Sequence, residues 1–200
     1  MNTRDLKKIP LFPINMVVLP EENVPLHIFE SRYKKMINNC LVKNSKFGIV
    51  YIKNDKIENI GCSISILEVL KKYNTGKYDL ICKGEKRFKI KKLTKVNDLW
   101  YGDVEFLKED YDNVQKKYFN KTLDKYLKIL IAINPNVNFQ KEICKKKSFD
   151  FTKNVVLPKD IKQIFLNLKN EKSRLDFIND FLDSLSLTEK EVKNKKTILN

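Results

Sequence analysis

From residue 7 to about residue 110, apolar positions come in short runs and in alternation, the spacing of β-strands. Residues 9–18 are apolar but broken by Pro10 and Pro13, which predicts edge strands and bends rather than a central strand. Residues 24–29 read as a further short strand. From about 30 to 42 the period changes: Tyr33, Met36, Ile37, Cys40 and Leu41 share one face of an amphipathic helix. Residues 47–52, 61–73, 77–93 and 101–107 return to strand patterning, with Asn74-Thr75-Gly76 as a turn. In the 77–93 segment Tyr78, Leu80, Cys82, Phe88 and Ile90 share one parity. Asp79, Lys83, Glu85, Arg87, Lys89 and Lys91 share the other, which predicts a half-buried strand with a charged solvent face. Gly84 marks a bulge or bend. Some six strands with one embedded helix, long in their hairpins and bent, predict a small mixed barrel.

Beyond residue 111 the period is helical. Phe119, Leu123, Tyr126, Leu127, Leu130 and Ile131 form one stripe, which Asn134-Pro135-Asn136 ends. A polar, Lys-rich connection runs to about residue 154. Ile161, Ile164, Phe165 and Leu168 then share a face, as do Leu175, Ile178, Leu182 and Leu185. Thr188-Glu189-Lys190-Glu191 reads as a capping box, with Leu187 and Val192 as its hydrophobic staple. The expected fold is thus α+β: a mixed β-barrel with one embedded helix over residues 1–112, then a helical bundle over residues 113–200.

Composition narrows the chemistry. With 42% apolar residues the chain is globular. No apolar run approaches a membrane span and no secretory signal is visible, so a soluble, cytoplasmic protein without a membrane role is expected. Cys40, Cys62, Cys82 and Cys144 form no close pair and read as reduced, buried thiols. The net charge of +15 raises nucleic-acid binding as a possibility, but only four of the 40 basic residues are Arg. Excess Lys, Asn and Ile with scarce Arg and Gly is what an AT-rich genome produces. Where Lys would serve, this composition supplies Lys, so Arg32, Arg87 and Arg174 are expected to make geometric, chiefly structural hydrogen bonds.

The chain holds no Walker A pattern and no Gly-x-Ser-x-Gly elbow. His27, the single histidine, lies in a Pro-Leu-His-Ile-Phe strand and reads as packed rather than catalytic. One His and dispersed Cys leave a metal site without ligands. No catalytic residue, cofactor or metal is expected, and the chain reads as a non-enzyme.

Several segments, in order, carry a resemblance. They are Ile9-Pro10-Leu11-Phe12-Pro13, Val18-Leu19-Pro20 and Pro25-Leu26-His27-Ile28-Phe29-Glu30-Ser31-Arg32-Tyr33. Gly61-Cys62 follows with Lys77-Tyr78-Asp79-Leu80, Gly84 and Arg87-Phe88; then come Trp100-Tyr101 and Asp103-Val104-Glu105. Last come Val156-Leu157-Pro158, Lys162-Gln163-Ile164-Phe165-Leu166 and Ser173-Arg174-Leu175. Together, over residues 7–187, they resemble the Lon substrate-binding domain family, the N-terminal domain of ATP-dependent Lon proteases, also found free-standing. One departure is that Pro20-Glu21-Glu22-Asn23 fills a turn to which the family often gives glycine.

The resemblance implies a PUA-like pseudo-barrel followed by a helical part, the two together one Lon N-terminal-type domain. It also implies recognition of unfolded or apolar polypeptide segments, or of a partner protein such as a protease, without motor or protease parts in this chain. Such recognition needs apolar surface with polar anchors. The segment from residue 26 to 35 offers both: Leu26, Phe29 and Tyr33 supply apolar surface, and Glu30, Arg32 and Lys35 project from the helix start. The alternative is a PUA-like RNA-binding protein using the Lys-rich face of residues 83–95, with Tyr78 and Phe88 as stacking candidates. Their parity places both rings inside, against that use.

Overall fold

The structure, a computed structural model, describes residues 6–134, 136–154 and 157–198. Side chains are described as far as residue 185, Asn154 apart. Its contacts divide the chain into two units, Met1–Lys108 with Leu157–Asn167, and Glu109–Val156 with Leu168–Asn200. The break after Lys108 lies near the expected boundary at 112/113. The return of residues 157–167 to the first unit was not expected.

In the first unit the strands are β1 (Lys7–Ile14), β2 (Asn23–Ile28), β3 (Phe47–Lys53), β4 (Lys56–Ile57), β5 (Ile60–Lys72), β6 (Tyr78–Val96) and β7 (Leu99–Phe106). The sheet runs β1-β7-β6-β5-β3-β4, and β1 also pairs with β3, which closes β1, β7, β6, β5 and β3 into a ring. β2 lies on β6. Helix α1 (Ser31–Lys43) is embedded between β2 and β3 and buries Tyr33, Met36, Ile37 and Cys40. They join Leu26, Ile28, Tyr78, Leu80 and Cys82 in the main core. Leu11, Val50, Phe88, Ile90 and Val104 form a second cluster.

Arg87 and the helix of residues 159–167 depart from expectation, and β1 does not. β1 is an edge strand in each of its halves, as Pro10 and Pro13 led one to expect: residues 7–11 pair antiparallel with β7 and residues 11–14 pair parallel with β3. Each half has a strand on one side only, which is what lets Pro10 and Pro13 lie in it without removing a ladder bond. Arg87 leaves the charged face on which parity placed it and is 1% exposed, because the register slips between Cys62 and Ile64 beside it. Its Nη1 donates to the Leu166 carbonyl at 2.7 Å. That carbonyl belongs to α5 (Lys159–Asn167), a helix of the barrel unit that buries Gln163, Phe165 and Leu166 and leaves Ile164 exposed. Gln163 Nε2 donates to the Ile60 carbonyl at 3.1 Å.

Gly84 has the role its position implied. A Cβ there would lie 2.2 Å from the Leu19 carbonyl oxygen. That close approach allows Gly84 and the 19–22 loop to exchange Glu21 N–H to Gly84 O at 2.8 Å and Gly84 N–H to Glu22 O at 2.9 Å. In this loop Glu21 itself takes the left-handed conformation, φ 68°, that a glycine would adopt freely.

In the second unit α2 (Lys116–Ile133), α3 (Phe139–Glu142), α4 (Ser148–Phe151) and α6 (Glu171–Ile198) pack together. The expected polar connection of residues 136–154 contributes core: Phe149 and Phe151 are buried, and the Phe151 ring lies 5.2 Å from that of Tyr126. α6 buries Leu175, Ile178 and Leu182. It continues through Thr188, where a new helix start was expected; the side chains of that capping box lie outside the described residues, as do Pro135 and Val156. Arg174 is fully buried. Its guanidinium meets Glu171 and Glu109, each at 2.9 Å, and Ser148 Oγ at 3.0 Å.

Candidate functional site

Glu30 ends β2's chain in extended conformation, and its carbonyl accepts the first helical bond, from Lys34 N–H at 2.9 Å. The Glu30 carboxylate does not cap the helix. It holds Arg32 instead, with Oε2 accepting from Nε at 2.9 Å and from Nη2 at 2.7 Å. The guanidinium lies 4.7 Å over the Tyr33 ring and donates toward the Asp98 carbonyl at 3.4 Å. Asp98 sits in the tight β6–β7 turn, where Asn97 (φ 47°) and Asp98 (φ 62°) are both left-handed, as a two-residue hairpin of this type requires.

Arg32 thereby spans the mouth of a cleft of about 680 Å³. One wall is the start of α1, with Glu30, Arg32, Lys35 and Met36. The other is the hairpin, with Val96, Asp98, Leu99 and Tyr101. Met36 and Leu99 are core residues behind the cleft, Tyr101 is half-buried along it, Val96 is exposed, and Glu30, Arg32, Lys35 and Asp98 bring charge to its lining.

Of the six expected binding residues, three line this cleft: Glu30, Arg32 and Lys35. Leu26 (6% exposed) and Tyr33 (5%) are core residues, so they offer no free apolar surface. Burial pushes the Tyr33 hydroxyl pKa up, against the opposing pull of Arg32. Phe29 is exposed but stacks on His27, ring centroids 5.9 Å apart, and does not line the cleft. His27 bonds Asp79 at 2.5 Å, and Tyr73 donates to the same carboxylate at 2.7 Å. The opposing wall, residues 96–101, was missed. The Asn97-Asp98 pair between apolar residues signals a turn, but nothing in the local sequence brings that turn to α1.

Three of the six lysines in residues 83–95 are ion-paired: Lys83 with Glu21 at 2.7 Å, Lys91 with Glu105 at 2.8 Å and Lys95 with Asp98 at 3.1 Å. Tyr78 (3% exposed) and Phe88 (0%) are interior, so neither can stack a base. Cys40, Cys62 and Cys82 are buried thiols, as expected, but Cys144 is exposed. Burial pushes the Cys82 thiol up to about 12. No helix among the described residues is long and apolar enough to cross a membrane.

The mixed α+β architecture, a large antiparallel sheet with helices, is that of Lon N-terminal domains. A Lon N-terminal domain protein from Xanthomonas campestris superposes with a TM-score of 0.68 at 19% identity, over 85% of this chain and 95% of that one. The N-terminal domain of a Mycobacterium avium complex Lon protease gives 0.69 at 16% identity, over 88% and 98%. The chain belongs to the family described as the ATP-dependent protease La (LON) substrate-binding domain, whose model matches residues 8–184. It is also 24% identical over 113 residues to Lon protease 2 of Syntrophobacter fumaroxidans; that match takes in 52% of this chain but 14% of that protein. The matched part is the substrate-binding domain, not the ATPase or protease domain.

Proposed function

We propose that this chain is a non-enzymatic recognition module that binds exposed apolar segments of other polypeptides in the cleft between α1 and the β6–β7 hairpin. In this reading it holds them for a partner, a protease being the natural one given the relative it resembles. The observation that carries the proposal is the cleft itself, where exposed Val96 and half-buried Tyr101 sit beside a rim of Glu30, Arg32, Lys35 and Asp98. Apolar burial supplies affinity without demanding a sequence, and the rim supplies polar anchors for main-chain groups.

The test is fluorescence anisotropy with a labelled, permanently unfolded polypeptide and a labelled RNA, at low and moderate salt. Polypeptide binding should resist salt, because its source is apolar area. Arg32→Ala and Val96→Asp should each weaken it about tenfold, a change of about 1.4 kcal/mol, with the melting temperature nearly unchanged. Polypeptide binding indifferent to both substitutions, or binding to RNA alone, would sink the proposal.

A further inference from the structure

A second cleft, of about 1150 Å³, opens in the barrel unit where β1 and β3 part. β1 pairs with β3 only from Leu11 onward, so the Lys7–Pro10 half has β7 on one side and no strand on the other. This unpaired backbone edge borders the cleft. Five lysines converge there from four segments: Lys7 and Lys8 of β1, Lys46 of the α1–β3 loop, Lys86 of β6, and Lys108 after β7. Glu85 and Glu105 lie among them. Glu85 is engaged by Lys46, and Glu105 by Lys91, which lies outside the cleft. Among the described residues Lys7, Lys8, Lys86 and Lys108 have no carboxylate partner. Elsewhere on the same unit Lys53, Lys83, Lys95 and Lys162 each have one. Four lysines without carboxylate partners thus border one concavity.

We propose that this cleft docks an extended polypeptide segment in which carboxylate side chains alternate with apolar ones. An extended segment can add to the open β1 edge by main-chain hydrogen bonds, and strand geometry then sends its side chains alternately to two sides. Carboxylates find Lys7, Lys86 and Lys108; Lys8, next along the strand, holds its ammonium over the Tyr101 ring, 5.7 Å from its centroid. The other parity meets Ile9, Phe106 and Leu107, which are half-buried along the cleft. Three features favour a polypeptide over a nucleic acid. The cationic groups are lysines, not the Arg forks suited to phosphate. The two glutamates would repel a continuous phosphate backbone. Phe106, the one aromatic lining residue, lies edge-on to Phe88 at 6.3 Å and is half-buried, so it gives no free stacking face. The inference rests on the polypeptide-binding reading but uses a different site.

The probe is a labelled unstructured peptide alternating glutamate with valine, compared with its glutamine-for-glutamate twin and a single-stranded RNA of equal length. The glutamate peptide should bind more tightly than its twin, and rising salt should erode that margin. Lys86→Glu with Lys108→Glu should shrink that margin about tenfold, and Lys56→Glu, at an exposed lysine outside both clefts, should leave it unchanged. All the substituted side chains are at or near the surface, and an unchanged melting curve shows that each variant folds. Equal binding of the two peptides, or indifference to the lysine reversals, would overturn the inference. So would loss of RNA binding alone on reversal. If no peptide binds in either cleft, the recognition reading falls as well. If the glutamine twin binds and only Arg32→Ala weakens it, the second cleft alone is lost.

Discussion

Arg87 of the barrel unit and Arg174 of the helical unit are buried to the same degree, 1% and 0% exposed, and each ties down a group of a different kind. Among its bonds, Arg87 donates to the main-chain carbonyl of Leu166, a neutral acceptor. Arg174 meets Glu171 and Glu109, with Asp110 at 3.7 Å, and its cation lies 4.9 Å over the Phe149 ring. Glu171 in turn accepts from Ser148 N–H and Oγ, each at 2.6 Å. Arg87 therefore fastens one backbone segment to a strand. Arg174 balances the charge of a buried carboxylate that α4 and α6 both depend on. The lesson is that loss of either cation must be judged by what it leaves behind, a carbonyl or a charge.

The largest effect is expected where a charge is left. Arg174→Leu strands the Glu171 carboxylate, which is 2% exposed at its side chain, and should destabilise the protein by about 3–5 kcal/mol in urea unfolding. Arg87→Leu leaves the Leu166 carbonyl short of a donor and should cost about 1–3 kcal/mol in the same assay. If Arg87→Leu proved equal or worse, the contrast between the two arginines would be broken.

The exposed His27–Asp79 pair sets the lower end of the scale. The His27 hydrogen bond, then that of Tyr73, holds the Asp79 carboxyl below the ordinary carboxylate range. A depressed carboxyl contributes stability above its ordinary value, and loses it as pH falls through the lowered one. His27→Asn should move the Asp79 carboxyl upward in an NMR pH titration, with a barely measurable change in unfolding at neutral pH. No movement of that carboxyl would remove His27 as its partner.

Much of the fold is legible along the chain because each element carries its own period. The embedded helix and the long β5–β6 hairpin follow directly from apolar spacing. Three features are not legible for one reason: each depends on residues far apart in sequence. Arg87's burial depends on the Leu166 carbonyl, 79 positions away. Residues 159–167 read as one more bundle helix, since periodicity shows that a face is buried but not against what. In the candidate site, the α1 wall could be read from the Leu26–Lys35 segment, but its opposing hairpin could not. Leu26 and Tyr33 look alike as surface or core in sequence, since both sit at apolar positions. Phe149 and Phe151 were obscured by the lysines preceding them, although Lys145 itself is buried against Glu142 at 2.9 Å.

The place of α5 has a consequence for synthesis. Gln163 and Leu166 supply bonds to Ile60 and Arg87, so the barrel is finished by residues that leave the ribosome well after its last strand. Residues 109–156 emerge in the interval and belong to the other unit. The strands can therefore close their ring before α5 exists, and Arg87 stays without its Leu166 acceptor until α5 arrives.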